Sequence, residues 1–110
     1  MRKALKTLLL TMVLFPANAA FAGDLEGIFN DLTSNQRKYV QIRLRLPGFY
    51  QNAVDGQFGS HTVEAIRSAT ATPGYSQYKA QAVRRGVQDE ETIAIYYVMS
   101  DIYLRSVVHQ

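Results

Sequence analysis

The chain has 110 residues, no cysteine, and 12 lysines and arginines against 9 aspartates and glutamates. The absence of cysteine excludes a disulfide-stabilised scaffold, which is the common solution for small exported domains. A chain of this size buries only about 60% of its extended surface on folding, so we expect one small domain that is stabilised by packing alone.

The segment 1–22 has the three parts of a secretory signal peptide. The basic residues at its start are Arg2, Lys3 and Lys6. A short apolar run follows at residues 8–15, and Ala20-Phe21-Ala22 places small residues at positions −3 and −1 of a cleavage site before Gly23. A membrane anchor is the alternative, but this run is much shorter than the roughly 20 apolar residues that cross a bilayer. We therefore expect cleavage after Ala22.

Residues 23–110 would then be the mature domain of an exported protein, located in the periplasm or outside the cell. Its basic and acidic residues balance at nine each, because three basic residues leave with the signal peptide. A balanced chain offers no clustered basic footprint for nucleic acid. We therefore expect no nucleic acid as a partner and, after signal removal, no membrane.

Helical signals dominate the mature sequence, and no strand pattern is clear. Thr33-Ser34-Asn35-Gln36 has the form of a capping box that opens a helix, and Pro47-Gly48 should end this helix near Leu46. A loop over residues 49–59 leads to a second helix that begins at Gly59-Ser60. These patterns predict an all-α fold, a small bundle of three or four helices.

The C-terminal part of the sequence predicts the remaining helices. Residues 76–85 form a weaker helix candidate, which Gly86 would end. Asp89-Glu90-Glu91 supplies an acidic first turn, which complements the helix dipole, for a long last helix that continues to about Val108. Its polar residues, Glu91, Asp101 and Arg105, share one narrow stripe.

The apolar surface of this last helix is wider than one side of a small bundle needs. Two explanations stay open. In the first, residues 71–88 cover the excess surface with the side chains of Tyr75, Tyr78 and Val83. In the second, one side of the helix forms a face for self-association or for a protein partner, through Ile95, Met99 and Ile102.

Residues 39–67 carry a spaced pattern of particular residue types. In chain order it reads Tyr39-Val40-Gln41, Leu44, Gly48-Phe49-Tyr50, Val54-Asp55-Gly56-Gln57-Phe58-Gly59, Thr62 and Ala65-Ile66-Arg67. This string resembles the peptidoglycan-binding-domain-like family, a small three-helix module that is often attached to cell-wall hydrolases. The resemblance covers about residues 32–68 and implies binding to peptidoglycan or a wall fragment. The chain departs from the family at Ala69-Thr70, where a Phe-Gln pair is usual, and in its longer segment 71–88.

The loop of this pattern also has a structural explanation. Gly56 can adopt φ > 0 without steric cost, and the Asp55 carboxylate can accept backbone N–H bonds from residues further along the turn. Phe58 can insert into the core, and Gly59 would let the loop lie close to the second helix. We therefore predict that Asp55, Gly56, Phe58 and Gly59 form a structural motif that fixes the angle between two helices.

Arg43 is the first candidate for a ligand contact. On a helical wheel it falls between two apolar stripes. The first stripe consists of Val40 and Leu44, and the second consists of Tyr39, Ile42 and Leu46. The opposite face, expected to be solvated, holds Arg37, Lys38, Gln41 and Arg45. Arg43 either extends its stem over the edge of the core or offers its planar fork of donors to a carboxylate or sugar oxygen.

Three further candidates lie on or beside the loop. Tyr50 offers an aromatic surface for a sugar or peptide. Asp55 offers a carboxylate if the turn does not occupy it fully, and His61 is expected to be an exposed residue of the first turn of the second helix.

The sequence gives no sign of an active site or a cofactor. His61 and His109 are the only histidines, and zinc sites need a larger set of His and Cys ligands. Wall glycosidases use two carboxylates across a cleft, but Asp55 and Glu64 are the only acids near the pattern. We therefore expect a non-catalytic protein without a metal or cofactor.

Two classes of function remain open. The first is a wall-binding module that retains the mature protein on peptidoglycan. The second is an envelope protein-interaction module, such as a regulator or inhibitor of a periplasmic enzyme, that keeps the fold without binding glycan. Fold alone does not decide between them.

Overall fold

The computed structural model of the chain describes residue 21 and residues 23–108. The predicted signal peptide and its cleavage motif lie outside these residues, apart from Phe21, and so does His109. All regular secondary structure in the described part is helical, which confirms the all-α prediction. Its helices are α1 (Leu25–Asp31), α2 (Ser34–Arg45), α3 (Ser60–Ala69), α4 (Tyr75–Arg84), α5 (Glu90–Val98) and α6 (Asp101–Val108). The predicted number of three or four was therefore too low.

Helix boundaries in the middle of the chain follow the local sequence signals. The capping box of α2 is confirmed: the Thr33 hydroxyl accepts the Gln36 N–H at 3.1 Å, and the Gln36 side chain accepts the Thr33 N–H at 2.9 Å. After the last turns of α2 and α4, Gly48 and Gly86 adopt φ of 88° and 96°. Both helices therefore end where glycine permits the left-handed backbone conformation.

Helix α1 was not predicted. Asp24 caps it by accepting the Gly27 N–H at 2.8 Å, and Leu25 and Phe29 bury its apolar side. The signal was present in the sequence, since a capping aspartate precedes apolar residues at helical spacing.

The prediction of one continuous C-terminal helix was wrong, because the chain breaks at Met99-Ser100 between α5 and α6. The Ser100 hydroxyl donates to the Tyr97 carbonyl at 2.6 Å and accepts the Tyr103 N–H at 3.2 Å. A serine that bonds to nearby backbone groups competes in this way with the helical ladder. After the break, α6 packs against α4 and α5, and its Tyr103 is completely buried.

Helix α5 occupies the centre of the fold and contacts each of the other five described helices. Its buried apolar residues are Ile93, Ala94, Ile95, Tyr97 and Val98. Ile95 is completely buried, and Met99 and Ile102 are partly buried against the core. The predicted docking face is therefore wrong for Ile95, whereas Tyr96 and Val108 of the same predicted helix are 43% and 60% exposed.

Residues from α4 cover part of the apolar surface of α5. The rings of Tyr75 and Tyr78 lie 5.2 and 5.5 Å from the ring of Tyr97, as the first of the two explanations expected, whereas Val83 is 46% exposed. The predicted polar stripe is also incorrect, since Glu91 is only 3% exposed. Among the described helices, none has the length and apolar character that crossing a membrane requires.

Candidate functional site

The loop that joins α2 to α3 has the turn that the sequence predicted. Asp55 Oδ1 accepts the Gln57 N–H at 2.9 Å, and Gly56 adopts φ of 74°. Phe58 inserts toward the core, where its ring lies 5.5 Å from that of Phe29. The predicted turn at Asp55 and Gly56 and the insertion of Phe58 are therefore confirmed, while their role in fixing the angle between the two helices stays a prediction.

Gly59 does not have the role that was expected for it. Its φ of −166° is extended backbone, and a Cβ placed on it would have no neighbour within 4 Å. The residue is the N-cap of α3 but provides no side-chain cap. No close approach of the loop therefore requires glycine at this position, and that prediction was wrong.

Gln41 is the side chain that fixes the loop, and this role was not predicted. It was assigned to the solvated face of α2, but it is completely buried. Its Oε1 accepts the N–H groups of Asp55 and Gly56 at 3.1 and 2.9 Å, and its Nε2 donates to the Gln57 carbonyl at 3.0 Å. Three backbone groups of one turn are thus satisfied by one amide from α2.

Arg37 adds a second connection between α2 and the loop. Its Nε donates to the Gly56 carbonyl at 3.0 Å, and one terminal nitrogen donates to the Leu32 carbonyl at 2.7 Å. The side chain is therefore partly covered rather than fully solvated. Together Arg37 and Gln41 hold the turn in one conformation against the helix.

Three of the four candidate ligand residues, Tyr50, Asp55 and His61, meet at one concavity of about 230 Å³ beside this turn. We call this concavity the loop depression. Its remaining lining residues are Asn52, Ala53, Gln57, Phe58, Gly59 and Thr62. Asn52, Asp55 and His61 are exposed, so the rim of the loop depression offers an amide, a carboxylate and an imidazole. The rings of Tyr50 and Phe58 lie below them, at the bottom of the depression.

Tyr50 contributes to the base of the loop depression rather than to its rim. The residue is 5% exposed, and its hydroxyl donates to the Ala53 carbonyl at 2.7 Å. Burial, and then the negative charge of Asp55, raise the pKa of the Tyr50 hydroxyl above its usual value. The hydroxyl therefore stays protonated and holds the chain at Ala53 in place.

Arg43 lies apart from the loop depression and is 7% exposed. Its guanidinium caps the end of α5, where one terminal nitrogen lies 3.3 and 3.0 Å from the carbonyls of Val98 and Ser100 and the other lies 3.5 Å from that of Met99. The Nε and the second terminal nitrogen also donate to the Tyr39 hydroxyl, at 2.9 and 2.6 Å. Each of the three guanidinium nitrogens thus has an acceptor within the fold.

A second concavity, of about 280 Å³, lies between α4 and α5 and was not anticipated from the sequence. Its lining residues are Tyr78, Ala82, Arg85, Val87, Thr92, Ile93 and Tyr96. We call it the α4–α5 depression. It is slightly larger than the loop depression, but it is lined mainly by apolar side chains and offers fewer hydrogen-bonding groups. No group of three or more His, Cys, Asp or Glu side chains in the described part of the chain is arranged to hold a metal ion.

Comparison of the chain with protein-family models, with curated proteins and with solved structures gives no match.

Proposed function

We propose that the mature chain is a non-catalytic cell-wall module that binds peptidoglycan or a wall fragment at the loop depression. The observation that supports this proposal most is the meeting of Tyr50, Asp55 and His61 around one concavity. The sequence singled out these residues for their chemistry and for their place on or beside one loop. The structure adds that this loop encloses a concavity, which lies within the segment that carries the resemblance.

The loop depression suits a ligand that has both polar and apolar faces. Wall glycans and their stem peptides carry hydroxyl, acylamino and carboxylate groups on short carbon frameworks. The Asn52 amide and the His61 imidazole can hydrogen-bond such groups at the rim, and the partly exposed Phe58 ring can contact the carbon framework. Tyr50 is buried, contrary to the exposed aromatic that was expected, and supports the loop from below. Because Gln41 and Arg37 already fix the turn, binding orders few additional residues, and this lowers its entropic cost.

Sedimentation of the mature protein with insoluble peptidoglycan tests the proposal. We expect the wild-type protein in the pellet and an Asn52→Ala/His61→Ala variant bound roughly 30-fold more weakly, since two hydrogen bonds of about 1 kcal/mol each are lost. Both side chains are exposed, so the variant should unfold at the same denaturant concentration as the wild type.

Ser68→Ala/Gln88→Ala is the matched control for this experiment. Both residues are exposed and lie outside the loop depression, so this variant should sediment like the wild type. Wild-type protein that remains in the supernatant would contradict wall binding. Equal sedimentation of the two double variants would contradict the placement of the site.

A second candidate function, protein interaction in the envelope, is favoured by an exposed face of α2. Tyr39, Ile42 and Leu46 are 41%, 48% and 58% exposed and follow one another at helical spacing. We call them the α2 stripe. The exposed cations Lys38 and Arg45 lie beside it on the wheel. This arrangement fits a protein partner whose apolar surface is bordered by carboxylates.

A pull-down of envelope proteins by the mature chain tests the second candidate. A true partner should be retained by the wild type and lost from both Ile42→Ser/Leu46→Ser and Lys38→Glu/Arg45→Glu. A protein retained by both variants would contradict a role for the α2 stripe. Light scattering tests the alternative that the stripe binds a second copy of the chain. In that case the wild type is a dimer and Ile42→Ser/Leu46→Ser is a monomer.

A further inference from the structure

Glu91 is a buried carboxylate with an unusual partner. It lies in the first turn of α5, is 3% exposed, and accepts the backbone N–H of Gly23 at 2.6 Å through Oε2. Glu90 pairs with Lys79, and this salt bridge does not include Glu91. Asp89 caps α5 at the Thr92 N–H, and its carboxyl group also lies close enough to hydrogen-bond with that of Glu91, so a second acid faces Glu91. A buried carboxylate that is not paired with a cation is energetically unfavourable.

Glycine at position 23 leaves room for this contact. A Cβ on this residue would lie 2.7 Å from Oε1 and 3.1 Å from Oε2 of Glu91, and the first of these distances is shorter than van der Waals contact allows. The carboxylate therefore contacts the backbone nitrogen directly, at a position where other residues would displace it. This nitrogen belongs to the residue that immediately follows the predicted cleavage site.

We propose that Glu91 is the receptor for the new α-amino group that signal cleavage creates at Gly23. Hydrolysis of the Ala22–Gly23 peptide bond consumes one water molecule, leaves a carboxylate on Ala22, and turns the Gly23 N–H into an ammonium group at neutral pH. That ammonium lies beside the Glu91 carboxylate and supplies a cation to pair with it. Maturation thus completes an ion pair between the N-terminus, at the exposed residue Gly23, and the buried Glu91 of α5, the central helix. This inference rests on the predicted cleavage site and does not depend on wall binding.

The first test is the identity of the N-terminus. Mass spectrometry of the exported and processed protein should give Gly23 as the first residue. Any other first residue would overturn the proposal, because the ammonium would then lie away from the carboxylate.

The second test isolates the charge of the α-amino group. The mature chain that begins at Gly23 is compared with a chain that begins at Ala22, in which Gly23 keeps an amide nitrogen. Both contain all six described helices and both lack Phe21, whose side chain packs against the core, so the helical content and this packing are matched. We expect the chain that begins at Ala22 to have an unfolding equilibrium constant larger by about tenfold or more, the change that corresponds to one pKa unit of interaction.

Glu91→Gln provides the control, since it keeps an acceptor at the same place but removes the charge. In this background the extra alanine should have little effect on the unfolding constant. The proposal is overturned if the alanine changes the unfolding constant equally in the Glu91→Gln background and in the wild type, or if it has no effect in the wild type.

NMR titration of the Gly23 α-amino group gives a readout that does not depend on the folding of any variant. In the mature wild-type protein its pKa should lie above the usual range of about 7.7–8.0 for α-amino groups, because the carboxylate stabilises the ammonium form. In the chain that begins at Ala22 the α-amino group should titrate within that range. A normal pKa for the Gly23 amine would contradict the ion pair.

Discussion

Replacing Arg43 with alanine should lower the free energy of unfolding of the mature protein by about 3 kcal/mol, as measured by urea denaturation. The guanidinium is buried, and its donors serve the Val98 carbonyl at the end of α5, the Met99 and Ser100 carbonyls that follow, and the Tyr39 hydroxyl. Its removal takes a donor from each of these carbonyls where the chain turns from α5 into α6, and only that of Ser100 is known to keep another, the Leu104 N–H. It also removes a cation from the C-terminal end of the α5 dipole.

Arg45→Ala is the matched control, since Arg45 is an exposed arginine on the same helix. We expect it to change the stability by less than about 0.5 kcal/mol. Arg43→Lys should give an intermediate loss, because lysine keeps the charge but lacks the planar fork of donors. If the Arg43→Ala and Arg45→Ala proteins unfold at the same urea concentration, the guanidinium does not stabilise the end of α5. Arg43 would then again be a candidate for a ligand contact.

Gln41→Ala should lower the free energy of unfolding by about 2–3 kcal/mol. The side chain is completely buried and satisfies the N–H groups of Asp55 and Gly56 and the carbonyl of Gln57. Its loss leaves a cavity and three unpartnered backbone groups beneath the turn. The Gly56 amide, which is bonded to Gln41 in the wild type, should also exchange its hydrogen with solvent much faster in the variant.

Two variants of the same turn serve as controls for Gln41→Ala. Gln57→Ala removes an exposed amide and should change the stability by less than about 0.5 kcal/mol. Asp55→Ala should cost about 1 kcal/mol, because this exposed carboxylate accepts a single backbone N–H within the turn. An unfolding midpoint for Gln41→Ala equal to that of Gln57→Ala would refute the role of Gln41.

Local signals account for the parts of the fold that the sequence predicted correctly. The Thr33 capping box, the turn at Asp55-Gly56 and the glycine stops after α2 and α4 each depend on residues within a few positions of one another. Such signals determine where a helix begins and ends, whatever packs against it. They also identified Tyr50, Asp55 and His61, three residues that line one concavity.

The errors concern contacts between residues distant in the sequence. A helical wheel gives the angles between side chains but does not show which arc faces the core, so the polar Gln41 was assigned to solvent and the apolar α2 stripe was not recognised as exposed. The three hydrogen bonds of Gln41 reach residues 14 to 16 positions away, and those of Arg43 to the end of α5 reach residues 55 to 57 positions away. Neither set has a local signature. The break at Ser100 was missed for a related reason, since serine is compatible with a helix until tertiary contacts favour the alternative.

NMR titration of the isotope-labelled mature protein with soluble muropeptides, released by digestion of peptidoglycan, tests wall binding most directly. We predict concentration-dependent shifts that are confined to the backbone amides of residues 50–62, the segment that contains every lining residue of the loop depression, and are absent from the Asn52→Ala/His61→Ala variant. Shifts centred on the α2 stripe or on the α4–α5 depression, or no shifts at millimolar muropeptide, would contradict the proposed site.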